Sequence, residues 1–585
     1  MDKLRTLGTA FLLCIGLSAH TKEGVLPSVC DPWLYSPNAA ALTRYSFDNM
    51  GRAELSLTKS KGGFVNFNGS PDVLSVDAEV ESYFRLSRRT VVYGAMSYRN
   101  FSGDDMAGSA FISSHLPFDI VEDSLTNTGR KHQDTYRLTG GVGYELCNGF
   151  SLGARLDYTA ANLAKYKDLR HKNKLMDLDL TAGFYMPVSL GSSARLNFGA
   201  NYLYHRTTES LQFSTYGKND KVYNSLISYA NFIGHVEQFG NDGYTDKSRE
   251  MPLVSDYNGV GAQLNLVGSS TRRLVSFYNS FTYAHRRGYY GRRSPYTITY
   301  SNHESNLYRY DAQLSFSPHP SRGRDCKSLP ADGGCTVSLD FSLTAENLRN
   351  DAANYRELQN EQGATYYEYY TSVKAANKLW RDGYAALTVC LGSLNSKEME
   401  RGCPRPHALH PNIPKWTIRA GLNWHHREQT AYIYPFYRRQ DISSREPFVS
   451  VCRNVKSKAS SPAGEGQGLQ IPASSCLRRA YWTFALDFSF LKGSGQPYED
   501  GTFQTPSDKQ ELPPTMEAYL WREYLWLTAA QYQVGGSVAY SFTFPGTRLL
   551  THVRLSLSHR KANETCEYSN GHDRTSATVA IGCSF

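Results

Sequence analysis

The chain has 585 residues, of which 40% are hydrophobic and 20% charged, and a formal net charge of +9. Its mean hydropathy is −0.48, and no stretch after the first twenty residues approaches the ~18 consecutive apolar residues of a helical membrane span. Helical spans are thereby excluded, but a transmembrane barrel is not, because its strands are half polar.

Residues 1–19 read as a secretory signal. Asp2-Lys3-Leu4-Arg5 is mostly basic, Leu7 to Leu17 is apolar, and Leu17-Ser18-Ala19 offers a cleavage site before His20. Residues 20–50 lack sustained alternation and carry Pro27, Pro32 and Pro37. Proline removes ladder donors, so this segment is expected outside the wall. It is read as a periplasmic turn, short helix or small plug, with Trp33 and Leu42 as anchors.

From residue 51 onward the period is two. Alternation gives candidate strands at 52–59, 73–86, 90–100, 135–146, 150–160, 175–187, 194–206, 259–268, 274–286, 306–317, 335–346, 383–392, 414–427, 446–454, 480–491, 529–544, 548–560 and 574–585. The fold class is all-β, a transmembrane antiparallel barrel of about 18 strands, within a range of 14 to 18. Connections at 87–89, 147–149, 188–193, 269–273 and 545–547 are short and assigned to the periplasm. Those at 101–134, 207–258, 287–305, 347–382 and 492–528 are long and assigned to the cell exterior.

The last strand shows the pattern best. Ala577, Val579, Ile581, Cys583 and Phe585 share one face, and Thr578, Ala580, Gly582 and Ser584 the other. The chain stops on Phe585, read as lipid-facing and as an assembly signal for the barrel-assembly machinery. Trp416 and Trp424, Trp482 and Phe490, and Tyr532 and Tyr540 each lie eight residues apart on one face. On a tilted strand that spacing is about 20 Å along the barrel axis, close to the separation of two interfacial aromatic girdles. The 41 tyrosines suit such a surface.

The opposite parity lines the lumen. It carries Asp77, Glu79, Glu81, Arg137, Arg155, Asp157, Asp177, Asp179, Arg195, Arg309, Asp311, Asp340, Arg419, His425, Asp487 and Arg554. A wide barrel cannot fill its interior with apolar side chains, so the lumen is either wet or occupied by loops. Carboxylates concentrate on 73–86 and 175–187, a local bias towards cations.

Several blocks carry a family resemblance. They are Asp31-Pro32-Trp33-Leu34-Tyr35-Ser36-Pro37-Asn38-Ala39-Ala40-Ala41-Leu42, Asn100-Phe101-Ser102-Gly103, Gly108-Ser109-Ala110-Phe111, Asp157-Tyr158-Thr159-Ala160-Ala161-Asn162 and Asp168-Leu169-Arg170-His171-Lys172-Asn173-Lys174. With them the chain resembles a family of uncharacterised outer-membrane β-barrel proteins of Bacteroidota. The resemblance implies a fold and an outer-membrane location, and no substrate or active site. Pro37-Asn38-Ala39-Ala40-Ala41-Leu42 is more faintly similar to the opening of fatty-acid-transporter-type barrels, but in a different residue order.

Ten of the 11 cysteines follow the signal. Cys326 with Cys335, Cys390 with Cys403, and Cys452 with Cys476 are close pairs bracketing connections assigned to the periplasm, and Cys583 is expected to face lipid and stay free. No spacing supports a metal site or a cofactor. His425 and His426 sit near a strand end, and Asp487 could approach them only across a narrow lumen; with no nucleophile beside them, no enzyme is expected.

The Tyr366-Tyr367-Glu368-Tyr369-Tyr370 run suits sugar stacking, partner packing or a loop fixed over the mouth. His285-Arg286-Arg287 and Arg292-Arg293 suit lipopolysaccharide phosphates or a solvated loop. The functional reading is a channel, or the pore component of a transport assembly, with unknown solute. The alternative is a docking barrel that binds a surface lipoprotein or secreted partner through its loops, and the third reading is a rim hydrolase. Expected partners are outer-membrane lipid, lipopolysaccharide and the barrel-assembly machinery, with a surface lipoprotein or TonB-dependent receptor as candidate protein partners. No nucleic acid is expected.

Overall fold

The computed structural model describes residues 31–45, 49–216 except 123, 223–239, 251–269, 273–294, 297–318, 335–392 except 364, 394, 413–457, 480–543 except 509 and 511, and 549–585. The expected signal, the turn at 545–547 and Cys326, Cys403 and Cys476 lie outside those residues.

Among the described residues there are 24 strands, 18 of which form one closed antiparallel wall. The wall strands are β1 (Met50–Lys61), β2 (Asp72–Arg85), β3 (Thr90–Met106), β5 (Gly129–Cys147), β6 (Phe150–Lys165), β7 (Arg170–Ser189), β8 (Ala194–Ser214), β11 (Met251–Ser269), β12 (Arg273–Ser294), β13 (Thr297–Pro318), β14 (Thr336–Ala352), β17 (Val373–Leu391), β18 (Trp416–Ile433), β19 (Phe436–Lys456), β20 (Ala480–Gly495), β22 (Gln531–Thr543), β23 (Leu550–Ala562) and β24 (Asp573–Ser584). The remaining strands belong to connections. They are β4 (Asp119–Glu122), β9 (Tyr223–Ala230), β10 (Ile233–Phe239), β15 (Tyr355–Gln359), β16 (Thr365–Tyr369) and β21 (Glu499–Thr502), joined by one helix, α1 (Glu517–Thr528).

Closure runs through the two chain-terminal strands. β24 pairs with β1 from Ser584 opposite Arg52 to Thr575 opposite Lys61. Beyond them Gly51 and Phe585 exchange both backbone hydrogen bonds, at 2.8 and 2.9 Å. A side chain at Gly51 would collide with the Phe585 ring, since a Cβ there would lie 2.4 Å from it. Glycine on one strand therefore seats the terminal aromatic of the other. Inside the seam Glu54 accepts from Arg554 at 2.7 Å and lies 3.2 Å from His552 Nε2. Gly582 stands between them, and its missing side chain leaves the gap through which β1 and β23 touch.

The outer face is apolar. Phe484, Val538, Leu555, Val579 and Leu57 stand opposite one another in register across five strands, and all are exposed. Such a belt on a closed barrel is a lipid-facing surface, and the protein is an outer-membrane barrel. The apolar band of such barrels is ~25 Å tall, which a tilted strand crosses in about ten residues. Strands such as β12 and β13, each 22 residues long, must therefore project beyond the membrane.

That projection corrects several expected boundaries. Residues 287–305, read as an extracellular loop, are mostly ladder between β12 and β13. β18 and β19 likewise continue to Ile433 and Phe436, and β6 and β7 close towards 166–169. Above the membrane the outward residues are polar, as Lys172, Lys174, Arg287 and Glu428 show, so pairing persists where alternation has stopped. The Tyr366–Tyr370 run is the second strand of a hairpin, with Tyr369 opposite Tyr355.

The register gives a depth test. Arg at Val538, Leu555 or Leu486 should cost roughly 2–4 kcal/mol, and much less at inward Ser537 or Ser556. Reversible unfolding of the refolded barrel in lipid vesicles measures both; equal costs on the two faces would exclude this register.

Candidate functional site

All sixteen lumen candidates stand on inward parity, but they do not form one site. Arg155 holds Asp157 with two bonds, at 2.6 and 2.8 Å. Arg309 holds Asp311 at 2.8 and 3.1 Å, and Ser342 donates to the same carboxylate at 2.9 Å. Asp340 accepts from Gln313 at 2.7 Å. Asp77 pairs with Arg99 at 3.3 Å, and Tyr93 Oη lies 3.4 Å from Glu81. Glu79 stands opposite Glu54. Arg137 and Arg195 are exposed to the lumen. Arg419 reaches Tyr384, and Arg554 belongs to the seam. Asp177 and Asp179 flank His205.

His425 is bonded to Asp382 at 2.7 Å. Asp487 stands opposite Ser450, far below His425, which stands opposite Ser444. The outward-facing His426 does have a hydroxyl neighbour: its Nδ1 lies 2.9 Å from Ser443 Oγ and 3.7 Å from Asp441. One nitrogen meets both groups, whereas a relay needs the nucleophile and the carboxylate on opposite ring nitrogens.

The extracellular half of the lumen is filled by the connections. Residues 107–122 leave β3 and cross the bore. Lys378 on β17 donates to His115 O at 2.5 Å and Pro117 O at 2.9 Å, and Asn350 on β14 also donates to Pro117 O, at 2.8 Å. β14 and β17 lie half-way round an 18-strand wall from β3. β4 continues into a three-stranded sheet with β9 and β10. Asn231, between β9 and β10, bonds Gln429 O and Arg438 O on the far wall at 3.1 and 3.0 Å. Helix α1 completes the layer: Tyr519 donates to Glu122 O at 2.6 Å, and Glu523 meets His115 at 3.0 Å and Arg427 at 3.3 Å.

Around these bonds Phe111, Phe118, Ile120, Leu211, Phe213, Ile227 and Tyr290 pack as one buried cluster. A cavity of about 10 Å³ lined by His115, Asp119, Lys378 and Glu523 lies in this layer. That is room for about one water.

The wall prepares unusual partners for this layer. Glu209, fully buried, accepts from Ile112 N, Ser113 N and Asn173 at 2.7, 3.3 and 2.8 Å. Lys131 donates to Ala107 O and Ser109 O. Lys165 pairs with Glu122. Burial pushes the Asp119 carboxyl up to about 6, against His115 and the Ser109 hydroxyl, which favour its ionised form. Burial would likewise raise Glu523, but His115, Arg427 and Lys378 outweigh it and hold the carboxyl below its ordinary value.

Glu209, Lys131, Lys165, Lys378 and Arg438 lie beyond the expected strands, in the upper wall where alternation fails; Arg427 ends the expected strand 414–427 on inward parity and was not singled out. Arg286 is likewise inward and buried against Glu346, so only His285 and Arg287 of that basic run face outward.

At the periplasmic end residues 31–45 form two short 3-10 turns against the inner wall. Trp33 is fully buried between Tyr185 and Tyr278. Asn38 bonds Phe184 O and Gln263 at 2.7 and 3.1 Å. The segment fits because five inward positions are glycine. A Cβ at Gly153 would lie 2.2 Å from Ala40 N, one at Gly183 2.6 Å from Asn38, and one at Gly199 2.8 Å from the Trp33 ring; Gly141 and Gly143 meet Leu42 and Ala39.

A family model described as a family of unknown function, DUF6850, matches residues 39–585. The chain belongs to this family. The family match begins inside the second 3-10 turn and runs through the whole wall to Phe585. No curated protein matches the chain. Among solved structures it is similar to BauA, the ferric preacinetobactin receptor from Acinetobacter baumannii, at 7% identity and a TM-score of 0.37, covering 92% of this chain and 80% of that one. It is similar to the outer membrane transporter YddB from Escherichia coli at 8% identity and a TM-score of 0.36, covering 92% and 81%. It is also similar to the unliganded ferric citrate transporter FecA at 9% identity and a TM-score of 0.34, covering 92% and 78%.

Two tests follow from the geometry. Gly153→Val should expel residues 31–45, since the collision is with backbone, and forfeit the burial of Trp33, worth about 2–3 kcal/mol. Proteolysis should then cut the segment while the wall stays heat-modifiable; unchanged protection would refute the groove.

The second test is pH. Asp119 binds its proton more tightly docked than free, so its own contribution to docking is fully present below the free value near 4 and is lost as pH rises through about 6. With the intrinsic base-catalysed rise of exchange divided out, the protection of residues 107–122 should fall less steeply across that window in Asp119→Asn than in the wild type.

Proposed function

We propose that this chain is a transport barrel of the outer membrane whose extracellular mouth is held shut by its own connections. The solute is not identified by any feature of the wall. The observation that carries the reading is the contrast between the two halves of the lumen. Arg137 and Arg195 are exposed in the lumen below, while residues 107–122, β9, β10 and α1 cross the bore above. A permanent seal needs no buried charges, because well-packed apolar residues of similar volume do as well or better. Here the crossing segments are fastened through Lys165–Glu122, Lys378 and the His115–Glu523–Arg427 set. These are separable fastenings, and they suit a mouth that opens.

A second reading, the docking barrel, is favoured by the hairpin of β15 and β16, where Tyr369 and Tyr370 stand exposed outside the sealed mouth. Planar-bilayer recording separates the two. The wild-type barrel should be mostly closed with discrete openings. Lys378→Met takes the donor from His115 O and leaves Pro117 O with Asn350 alone, at a cost of roughly 1–3 kcal/mol, and should raise open probability about five- to 150-fold. Silence of both proteins at every voltage would leave the docking reading standing and the transport reading refuted.

A further inference from the structure

Below the seal, one level of the inner wall carries an unbalanced cluster. Asp157 on β6, Asp179 on β7, His205 on β8, Tyr257 on β11 and Arg286 on β12 stand opposite one another in a single row. Asp177 stands two residues from Asp179 on the same inward parity. Like charges directly opposite on adjoining strands destabilise a sheet unless something compensates them. Asp157 is compensated by the bidentate Arg155, and Arg286 is committed to Glu346. Asp177 and Asp179 are left chiefly with His205.

The imidazole is 3% exposed and fixed on three sides. It stacks on Tyr257 at 4.6 Å with 6° between planes, and Nε2 lies 2.8 Å from both Thr207 Oγ1 and Asp177. Its Nδ1 makes no hydrogen bond and faces Asp179 Oδ1 at 3.5 Å, an atom that also makes none. Two donors bound to one tetrahedral ion at ~2.1 Å stand about 3.4 Å apart, so this gap matches a shared ion better than a direct hydrogen bond. One donor atom from each of Asp177, Asp179 and His205 falls within 4.8 Å of the others. Both carboxylates are partly open to the lumen, with side chains 30% and 19% exposed, which leaves a path for an ion and room for water ligands.

We propose that His205 Nδ1 and Asp179 hold one divalent transition-metal ion on the lumen wall, completed by water, while Asp177 on Nε2 fixes the tautomer and orientation of the imidazole. An imidazole nitrogen with a carboxylate oxygen suits a borderline cation such as zinc, cobalt or manganese, and the imidazole nitrogen disfavours calcium and magnesium, which prefer all-oxygen shells. The site stands whether or not the barrel conducts.

The test uses the tag-free full chain, refolded in detergent and stripped with chelator. Cobalt(II) should bind at one equivalent per chain with the visible absorption of a nitrogen–oxygen site, and zinc should displace it. His205→Gln and Asp179→Asn should each weaken binding at least tenfold while heat-modifiability is kept. Asp177→Asn, which leaves the imidazole in place, guards against a folding loss in the first two and should also weaken it. No cobalt spectrum, or binding unchanged in all three variants, would overturn the proposal and make the cluster an imidazolium paired with two carboxylates.

Discussion

In hydrocarbon an unpaired backbone donor has no water to turn to, and each costs several kcal/mol. The ladder between β1 and β24 satisfies that constraint for the whole molecule. Without it both edges of an 18-strand sheet would lie open to lipid. The seam is accordingly closely fitted. Gly51 makes room for the Phe585 ring outside, Gly582 makes room for Glu54 and His552 inside, and the terminal residue itself exchanges two hydrogen bonds. Closure also fixes parity round the ring. Once the outer row from Phe484 to Leu57 faces lipid, the opposite residues have nowhere to go but inward.

Parity then divides the chemistry by depth. Within the membrane the inward residues are charged and compensate one another in short neighbour pairs such as Arg155–Asp157 and Arg309–Asp311. In the upper wall the inward residues instead face protein. There the same residue types serve as anchors for backbone carbonyls and amides of the crossing segments, as with Lys378, Glu209 and Asn350. Burying such groups is costly, and only complete hydrogen bonding offsets it. The docked connections and the upper wall are thus mutually dependent. Each supplies the partners that the other would lack in an apolar environment.

Much of this was legible in the sequence, and the limits follow from physics. All eighteen wall strands were marked by alternation, because lipid on one side and water on the other impose opposite demands on neighbouring residues. Alternation vanished where both faces meet water or protein, so 287–305 read as a loop although 287–294 and 297–305 belong to β12 and β13. The interior anchors were lost for the same reason. The groove for residues 31–45 left a signal that was not read: Gly141, Gly143, Gly153, Gly183 and Gly199 all stand on inward parity, where an open lumen has no need of glycine. Asp177, Asp179 and His205 could not be joined from sequence, since their proximity comes from the pairing of β7 with β8 and from no local spacing.

Connections such as 107–122, β9, β10 and α1, which would otherwise spread over the cell surface, are folded into the bore. Among the described residues, a phage tail or an antibody arriving at the cell would find the β15–β16 hairpin, the short tips such as 166–169 and 434–435, and the polar upper rims of strands such as β12 and β13. The segments that cross the bore would be hidden from it. Diversity driven by immune or phage pressure would then be expected to collect in 355–370 and to spare 107–122, the reverse of the pattern in barrels whose loops stand outside.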